Sequence, residues 1–201
     1  MKKSRILAMA VLSMTLVAMI NLSAVGAVTV TNGGFEDPAY SGDQLVPFPS
    51  IPGWTFAGTD NAGILPADAT GVWGIPTDGQ CAAIWGGATL AQTISGSGTT
   101  TFTFFVQGYD SVLTVTLDDT PLTFGGTPSV STVGGGVNGP MIQYTSDPIT
   151  IDAGDHTLKF IAGSSWSFID NVAAAVPEPA CITLLTTGLI GLSMRARRKR
   201  I

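Results

Sequence analysis

Glycine and proline recur throughout residues 28–175, and no stretch of this region shows an amphipathic helical period. The segments between them are short and rich in Thr, Val, Ile and Phe, which favour strands. Residues 112–117 alternate cleanly, with Leu113, Val115 and Leu117 on one face and threonines on the other. Short strands with turn residues at close intervals predict an all-β domain, an antiparallel sandwich or barrel.

Turn residues divide the second half of this region. Asp118-Asp119 follows the alternating segment directly and predicts a hairpin turn, and Asp152-Ala153-Gly154-Asp155 predicts another. Between and around these turns, the β-prone runs predict further strands at 101–107, 121–124, 148–151, 156–161 and 166–172.

The N-terminus has the organisation of a secretory signal. Three basic residues precede an uncharged, mostly apolar stretch at 6–22, and short or small side chains follow at 25–27. This order is typical of a cleaved signal peptide, which we predict for residues 1–27. A permanent N-terminal anchor is the alternative.

The C-terminus ends in three ordered parts. Val176, Pro177, Glu178 and Pro179 precede an apolar run at 180–194, and the basic residues that follow are Arg195, Arg197, Arg198, Lys199 and Arg200. An apolar segment that ends in arginines enters a bilayer but cannot carry its charges across, so a transmembrane helix is predicted at about 180–194.

This tail at 176–201 resembles the PEP-CTERM sorting signal of bacterial surface and biofilm-matrix proteins. The resemblance implies an exosortase as the sorting partner and processing near the Pro177-Glu178-Pro179 motif. It also implies export, anchoring in the membrane by the C-terminal helix, and delivery to the cell surface or extracellular matrix. The tail supplies a destination and no biochemical activity.

Charge is distributed unevenly along the chain. Residues 28–175 contain thirteen acidic residues and one basic residue, Lys159, which is a formal charge of −12. A domain this acidic repels phosphate backbones and anionic lipids, so we expect no nucleic-acid partner. Divalent cations and neutral polymers such as polysaccharide remain compatible.

Five segments of the central domain resemble the galactose-binding-like jelly rolls, which include several carbohydrate-binding modules. They are residues 32–36, 52–54, 79–84, 90–94 and 168–172. The resemblance implies an antiparallel jelly-roll β-sandwich for residues 28–175 and an extracellular polysaccharide as partner.

The same resemblance implies a structural Ca²⁺ held by Glu36 and Asp170 with backbone carbonyls, where the first and last strands meet. In the alternative interpretation Glu36 binds turn amides and Asp170 caps a strand end. Trp73 and Trp166, beside turn residues, are the candidate sugar platforms, with burial as their alternative. Trp54 and Trp85 lie among apolar neighbours and are expected in the core.

The sequence contains no clear arrangement of catalytic residues. The single histidine, His156, follows a predicted turn, where a polar strand-edge residue is more usual than a catalytic base. Cys81 is expected to be a small core residue, because its only possible partner, Cys181, lies in the apolar tail. We therefore expect a non-catalytic carbohydrate-binding domain. The alternatives are a self-associating structural matrix protein without a sugar site and, third, a glycan hydrolase using a carboxylate pair.

Overall fold

The computed structural model describes residues 27–58, 62–69, 79–109, 112–132 and 140–176. The predicted signal peptide before residue 27 and the tail after Val176 lie outside this part. Nowhere in the described residues is there a helix long and apolar enough to cross a membrane.

The described residues form eleven strands and one helical turn at residues 67–69, which confirms the all-β prediction. The strands are β1 (Val46–Pro47), β2 (Trp54–Ala57), β3 (Ala62–Leu65), β4 (Cys81–Ile84), β5 (Thr89–Gly108), β6 (Val112–Leu117), β7 (Thr120–Pro121), β8 (Val130–Ser131), β9 (Ile142–Thr145), β10 (Ile149–Ala162) and β11 (Ser167–Ala175).

The strands pair antiparallel in two sheets that share β5. The first sheet has the order β1-β3-β4-β11-β5-β9, and the second has the order β2-β5-β10-β6. The free side of β6 pairs with β7 near its end and with β8 near its start. Strands β10 and β11 come last in the chain but lie in the middle of the two sheets, so the fold closes only when the C-terminal part of the domain is present.

Strand β5 connects the two sheets by continuing from one into the other. Its first half pairs with β2 and β10, and residues 101–108 pair with β11. The sequence suggested separate strands at 90–94 and 101–107, but Gly98, with φ of 101°, lets the backbone bend without ending the strand.

The two predicted turns have different outcomes. Asp118 and Asp119 have φ of 49° and 63° and join β6 to β7, as a two-residue hairpin with positive φ at both positions requires. The predicted turn at 152–155 is wrong. Ile151 pairs with Gly98 and Gly154 pairs with Gly96, so β5 continues alongside and the extra residues form a bulge within β10.

Aromatic side chains fill the space between the sheets. Phe35, Phe102, Phe104 and Phe160 are fully buried there, and Trp54 joins them with 5% of its surface exposed, which confirms its core position. A second, smaller cluster contains Leu65, Ala69, Cys81, Ala83 and Phe168. Alternation along β4 and β11 places this second cluster on the opposite face of the first sheet.

Candidate functional site

The N-terminal segment meets the last strand, as the resemblance implied. The Val172 amide donates to the Gly33 carbonyl at 2.9 Å, and a Cβ at Gly33 would overlap that same backbone. The Trp54 indole Nε1 donates to the Asn32 carbonyl at 3.0 Å. Because the Gln80 side chain also donates to the Phe35 carbonyl, four of the five segments that suggested the fold come together around residues 32–36.

Glu36 is held against the segment that begins β4. Its Oε1 accepts a hydrogen bond from the Gln80 amide at 3.0 Å. A side chain at Gly79 would overlap the Glu36 carboxylate, so only glycine leaves room for it. The buried Gln80 side chain donates to the carbonyls of Phe35 and Pro38 and accepts from the Tyr40 amide, which fixes the loop that carries Glu36.

Asp170 lies in β11 with only 2% of its surface exposed. Its Oδ1 accepts the amide of Asn171 at 2.7 Å, and Asn171 has φ of 52° at the point where β11 shifts register against β5. The register of β4 and β11 places Asp170 beside Cys81. Burial raises the pKa of the Cys81 thiol, and the negative charges of Asp170 and Glu36 raise it further. Both carboxylates therefore lie close to one buried sulfur.

Glu36 and Asp170 fit a hard cation in charge and in donor type. Carboxylate oxygens are ligands that Ca²⁺ prefers, and the charges of both carboxylates act on the same buried Cys81 thiol, with Asp170 itself deeply buried. Lys159, the domain's only Lys or Arg, pairs instead with Asp119 at 2.5 Å. Among the described residues no three His, Cys, Asp or Glu side chains converge, so backbone oxygens would have to complete a shell.

Trp85 and Trp166 form a cross-strand pair at the end of the first sheet. Ile84 pairs with Ser167, so the next residues outward face each other; the two indole centroids are 6.2 Å apart with planes 28° apart. Trp85 is 37% exposed and Trp166 is half-buried. The expectation that Trp85 is in the core is wrong, because Ile84 faces the core and alternation directs Trp85 to the outside.

Two more aromatic rings extend this pair along the outer face. Trp166 stacks on Phe168 at 6.0 Å and 12°, and Tyr109 meets Phe168 edge-on at 6.0 Å. We call Trp85, Trp166, Phe168 and Tyr109 the aromatic row. Trp166, one of the two candidate sugar platforms, is half-buried beside Trp85, whereas Trp73 lies outside the described residues. The signal for Trp85 was the glycine pair that follows it, a mark of a turn.

The remaining polar cluster, around His156, joins β10 to the turn between β6 and β7 and to β5. His156 Nδ1 lies 2.6 Å from Asp118 Oδ2, and its Nε2 lies 2.9 Å from the Asp152 carbonyl. The hydrogen bond to Asp118 is the main cause of a raised His156 pKa, and the bond from His156 is the main cause of a lowered Asp118 pKa. Asp155 accepts from the Ser95 hydroxyl at 2.5 Å. Both imidazole nitrogens are therefore engaged in contacts within the domain.

Three solved structures that this domain resembles are carbohydrate-binding modules. TmCBM61, solved with β-1,4-galactotriose, superposes with a TM-score of 0.52 at 17% identity over 74% of this chain and 97% of that one. The C-terminal CBM6 of LamC from Zobellia galactanivorans gives 0.41 at 16% identity, covering 58% and 89% of the two chains. CBM35 from Paenibacillus barcinonensis gives 0.42 at 15%, covering 62% and 94%.

No family model and no curated protein sequence matches the chain. The likeness to TmCBM61 rests on shape at low identity, so it establishes the fold and leaves function to the site. The sandwich has the antiparallel jelly-roll fold that TmCBM61 has, which confirms the fold that the sequence resemblance implied.

Proposed function

We propose that this chain is an exported, non-catalytic protein whose jelly roll binds a neutral exopolysaccharide at the bacterial surface or in a biofilm matrix. The observation that carries the proposal is the stacked Trp85–Trp166 pair, partly exposed at one end of the sandwich. Its support in the fold is the likeness to TmCBM61, a module solved with a bound galactotriose.

The chemistry of the aromatic row suits a sugar. Indole faces pack against the C–H face of a pyranose, and their amphipathic rings tolerate the water around the sugar hydroxyls. Trp166 stacks on the fully buried Phe168, which Tyr109 meets edge-on, so Trp166 is held before any ligand arrives and loses less side-chain entropy on binding. The domain's charge of −12 favours a neutral glycan over an acidic one.

Sorting is a second part of the proposal. The signal peptide at 1–27 would start export, and the helix at 180–194 with its basic end would hold the protein in the membrane until an exosortase processes the motif at 176–179. The support is the order of the three tail parts together with an N-terminal signal. After processing, the acidic sandwich would remain at the surface or in the matrix.

A structural Ca²⁺ held by Glu36 and Asp170 is the third part. Its support is that the negative charges of both carboxylates act on the Cys81 thiol and that Lys159 pairs with Asp119 instead. A cation there would offset their repulsion and tie the N-terminal segment to β11. It would act on stability, and the sugar would bind at the aromatic row.

The absence of catalysis is also proposed. Its support is that several acidic side chains already serve the fold: Asp118 and Asp119 pair with His156 and Lys159, and Asp147 binds loop amides. A glycoside hydrolase mechanism needs one carboxyl group with a raised pKa that faces a second carboxylate across the substrate. Asp118 and Asp147 instead have lowered pKa values, caused by their hydrogen-bond donors.

Calorimetric titration of the full chain with β-1,4-galactotriose tests the sugar site. We expect Trp85→Ala and Trp166→Ala each to weaken binding about tenfold or more, the effect of losing about 1.4 kcal/mol. Phe48→Ala, which removes another exposed aromatic ring, is the control and should bind as the wild type does. Equal binding by all variants would remove the aromatic row from the site.

The same preparation separates the alternatives. Assembly that depends on protein concentration in the absence of glycan, with no glycan bound, would favour the self-associating matrix protein. Release of reducing ends from a polysaccharide, lost on changing one aspartate, would favour the hydrolase.

A further inference from the structure

A groove of about 440 Å³ opens between β8 and β9, and its lining includes no residue of the aromatic row. Its walls come from the free edges of both sheets: β9 from the first, and β8 with the start of β6 from the second. The sheet order puts β11 and β5 between this groove and Trp85. The groove therefore has a different lining from the site proposed above.

The lining of the groove carries no charged side chain. Five of its nine residues bear hydroxyls, Gln143 adds an amide, and Val112, Phe124 and Val130 form an apolar floor. This composition is notable in a domain with thirteen acidic residues. Hydroxyl and amide groups above an apolar floor complement a neutral molecule that has both C–H faces and many hydroxyls.

Tyr144 closes the two sheet edges over the groove. Its hydroxyl donates to the Ser131 carbonyl at 2.8 Å, which links β9 to β8. Its ring stacks on the buried Phe104, with centroids 6.1 Å apart and planes 23° apart, and meets Phe124 edge-on. The aromatic wall of the groove is therefore fixed from behind by the core.

The loop that forms the opposite wall is also held in place. Asp147 accepts hydrogen bonds from the Thr123 hydroxyl at 2.6 Å and from the amides of Gly125 and Gly126 at 3.1 and 3.0 Å. The Thr127 hydroxyl donates to the Phe124 carbonyl at 2.8 Å. A wall that is ordered before binding loses little entropy when a ligand arrives.

We infer that this groove is a second saccharide site, which binds a short segment of a neutral oligosaccharide between β8 and β9. Its volume lies toward the small end of the range of about 300–1,000 Å³ for ligand pockets, so it holds a few sugar units and no long chain. Together with the aromatic row it makes the domain bivalent. A matrix polysaccharide would then be bound at two faces and cross-linked or held by avidity.

Amide chemical shifts of the full chain, labelled with ¹⁵N, test the inference. The probes are the three neutral oligosaccharides β-1,4-galactotriose, β-1,3-galactotriose and xylohexaose, and tri-galacturonate is the charged control. We expect at least one neutral sugar to shift the amides of Thr127, Ser131 and Gln143, and the charged sugar to leave them unchanged. If none of the three neutral sugars shifts these amides, the inference is wrong.

Two variants separate the groove from the aromatic row. The double variant Gln143→Ala/Thr145→Arg changes two exposed groove residues. It should weaken the binding affinity measured from the groove shifts about tenfold. Trp85→Ala should leave the groove shifts intact, and Thr93→Ala on an exposed face of β5 is the neutral control.

Groove shifts without shifts at the aromatic row would support this site and contradict the function proposed above. Loss of the groove shifts in Trp85→Ala would mean a single site. Shifts with 1-hexanol alone would mean an apolar pocket, and either result overturns the inference.

Discussion

The side-chain amide of Gln92 pairs with the backbone of Thr31 as a neighbouring strand would. Its Oε1 accepts the Thr31 amide at 2.7 Å, and its Nε2 donates to the Thr31 carbonyl at 2.8 Å. Gln92 lies in β5, opposite Trp54 and Leu158 in the flanking strands, and is only 2% exposed. One buried side chain therefore fastens the N-terminal segment, and with it Asn32 and its contact to Trp54, to the centre of the second sheet.

Replacing Gln92 should loosen that segment. In Gln92→Met the part-buried amide and carbonyl of Thr31 lose their partners, a cost of about 0.5–1.5 kcal/mol for each hydrogen bond. For a domain of this size 1 kcal/mol changes the melting temperature by roughly 2–4 °C, so we expect a fall of several degrees in a thermal melt followed by circular dichroism. Gln143→Met, the same change on the exposed edge of β9, is the control and should melt within about 1 °C of the wild type.

Calcium should stabilise the sandwich through Glu36 and Asp170. A ligand that binds only the folded state adds about 2.7 kcal/mol at a hundred times its dissociation constant, which raises the melting temperature by several degrees. The measurement is a thermal melt with calcium and with chelator for the wild type, Glu36→Gln and Asp170→Asn. No shift in the wild type would exclude the metal site, and an undiminished shift in both variants would place the metal at other carboxylates.

Gly79→Ala offers an independent route to the same site. The added Cβ would overlap the Glu36 carboxylate, so Glu36 must move while its charge is kept. We expect the calcium-dependent shift of this variant to be smaller than that of the wild type. The control is Thr99→Ala, on the exposed side of β5, which changes neither carboxylate. Gly86→Ala would be unsuitable as a control, because Gly86 has φ of 63° and an added side chain would strain the backbone.

The His156–Asp118 contact should make stability depend on pH. The folded state raises the pKa of His156, so this contribution is present below about pH 6.5 and is lost as pH rises through the folded-state pKa. The folded state lowers the pKa of Asp118, so its contribution is present above about pH 3.9 and is lost as pH falls through the folded-state pKa. The pair therefore stabilises most between these limits. Because Asp118 is 51% exposed, solvent keeps the effect to about 1 kcal/mol or less.

Melting temperatures from pH 6 to pH 9 test this contact. As the pH rises from 6 to 9, the melting temperature of the wild type should fall by up to a few degrees more than that of His156→Gln. Lys159→Gln breaks the neighbouring ion pair with Asp119 but keeps His156, so its pH slope should match the wild type. Parallel slopes for the wild type and His156→Gln would show that the contact does not contribute.

Processing of the tail is tested in the native host. We expect mass spectrometry of surface-extracted protein to find its C-terminus near Pro177-Glu178-Pro179, because under the sorting proposal the basic end stops transfer and is then removed. Deletion of residues 2–27 should leave the protein in the cytoplasm, since the apolar run at 180–194 follows the domain and comes too late to start export. Intact peptides through Arg200 as the main surface form would contradict processing.

Local pattern was enough for the class of fold. Glycine and proline excluded long helices, alternation identified β6, and Asp118-Asp119 marked a real hairpin, because strand faces and tight turns depend on neighbouring residues alone. The N-terminal motif also pointed to a meeting of residues 32–36 with the last strand, where the Val172 amide donates to the Gly33 carbonyl. Cys81 and Trp54 were rightly expected to be buried.

What the sequence could not determine were the features that depend on pairing between distant strands. Residues 152–155 have the composition of a turn, but β5 runs beside them on both sides of the shift, and continuous pairing made them a bulge. Trp85 looks like a core residue until the register of β4 with β11 places it opposite Trp166 on the outer face. The groove between β8 and β9 has no local signature, since its walls belong to two sheets that meet only in the folded domain. Local propensity specified the strands, and the tertiary structure decided which side chains they bring together.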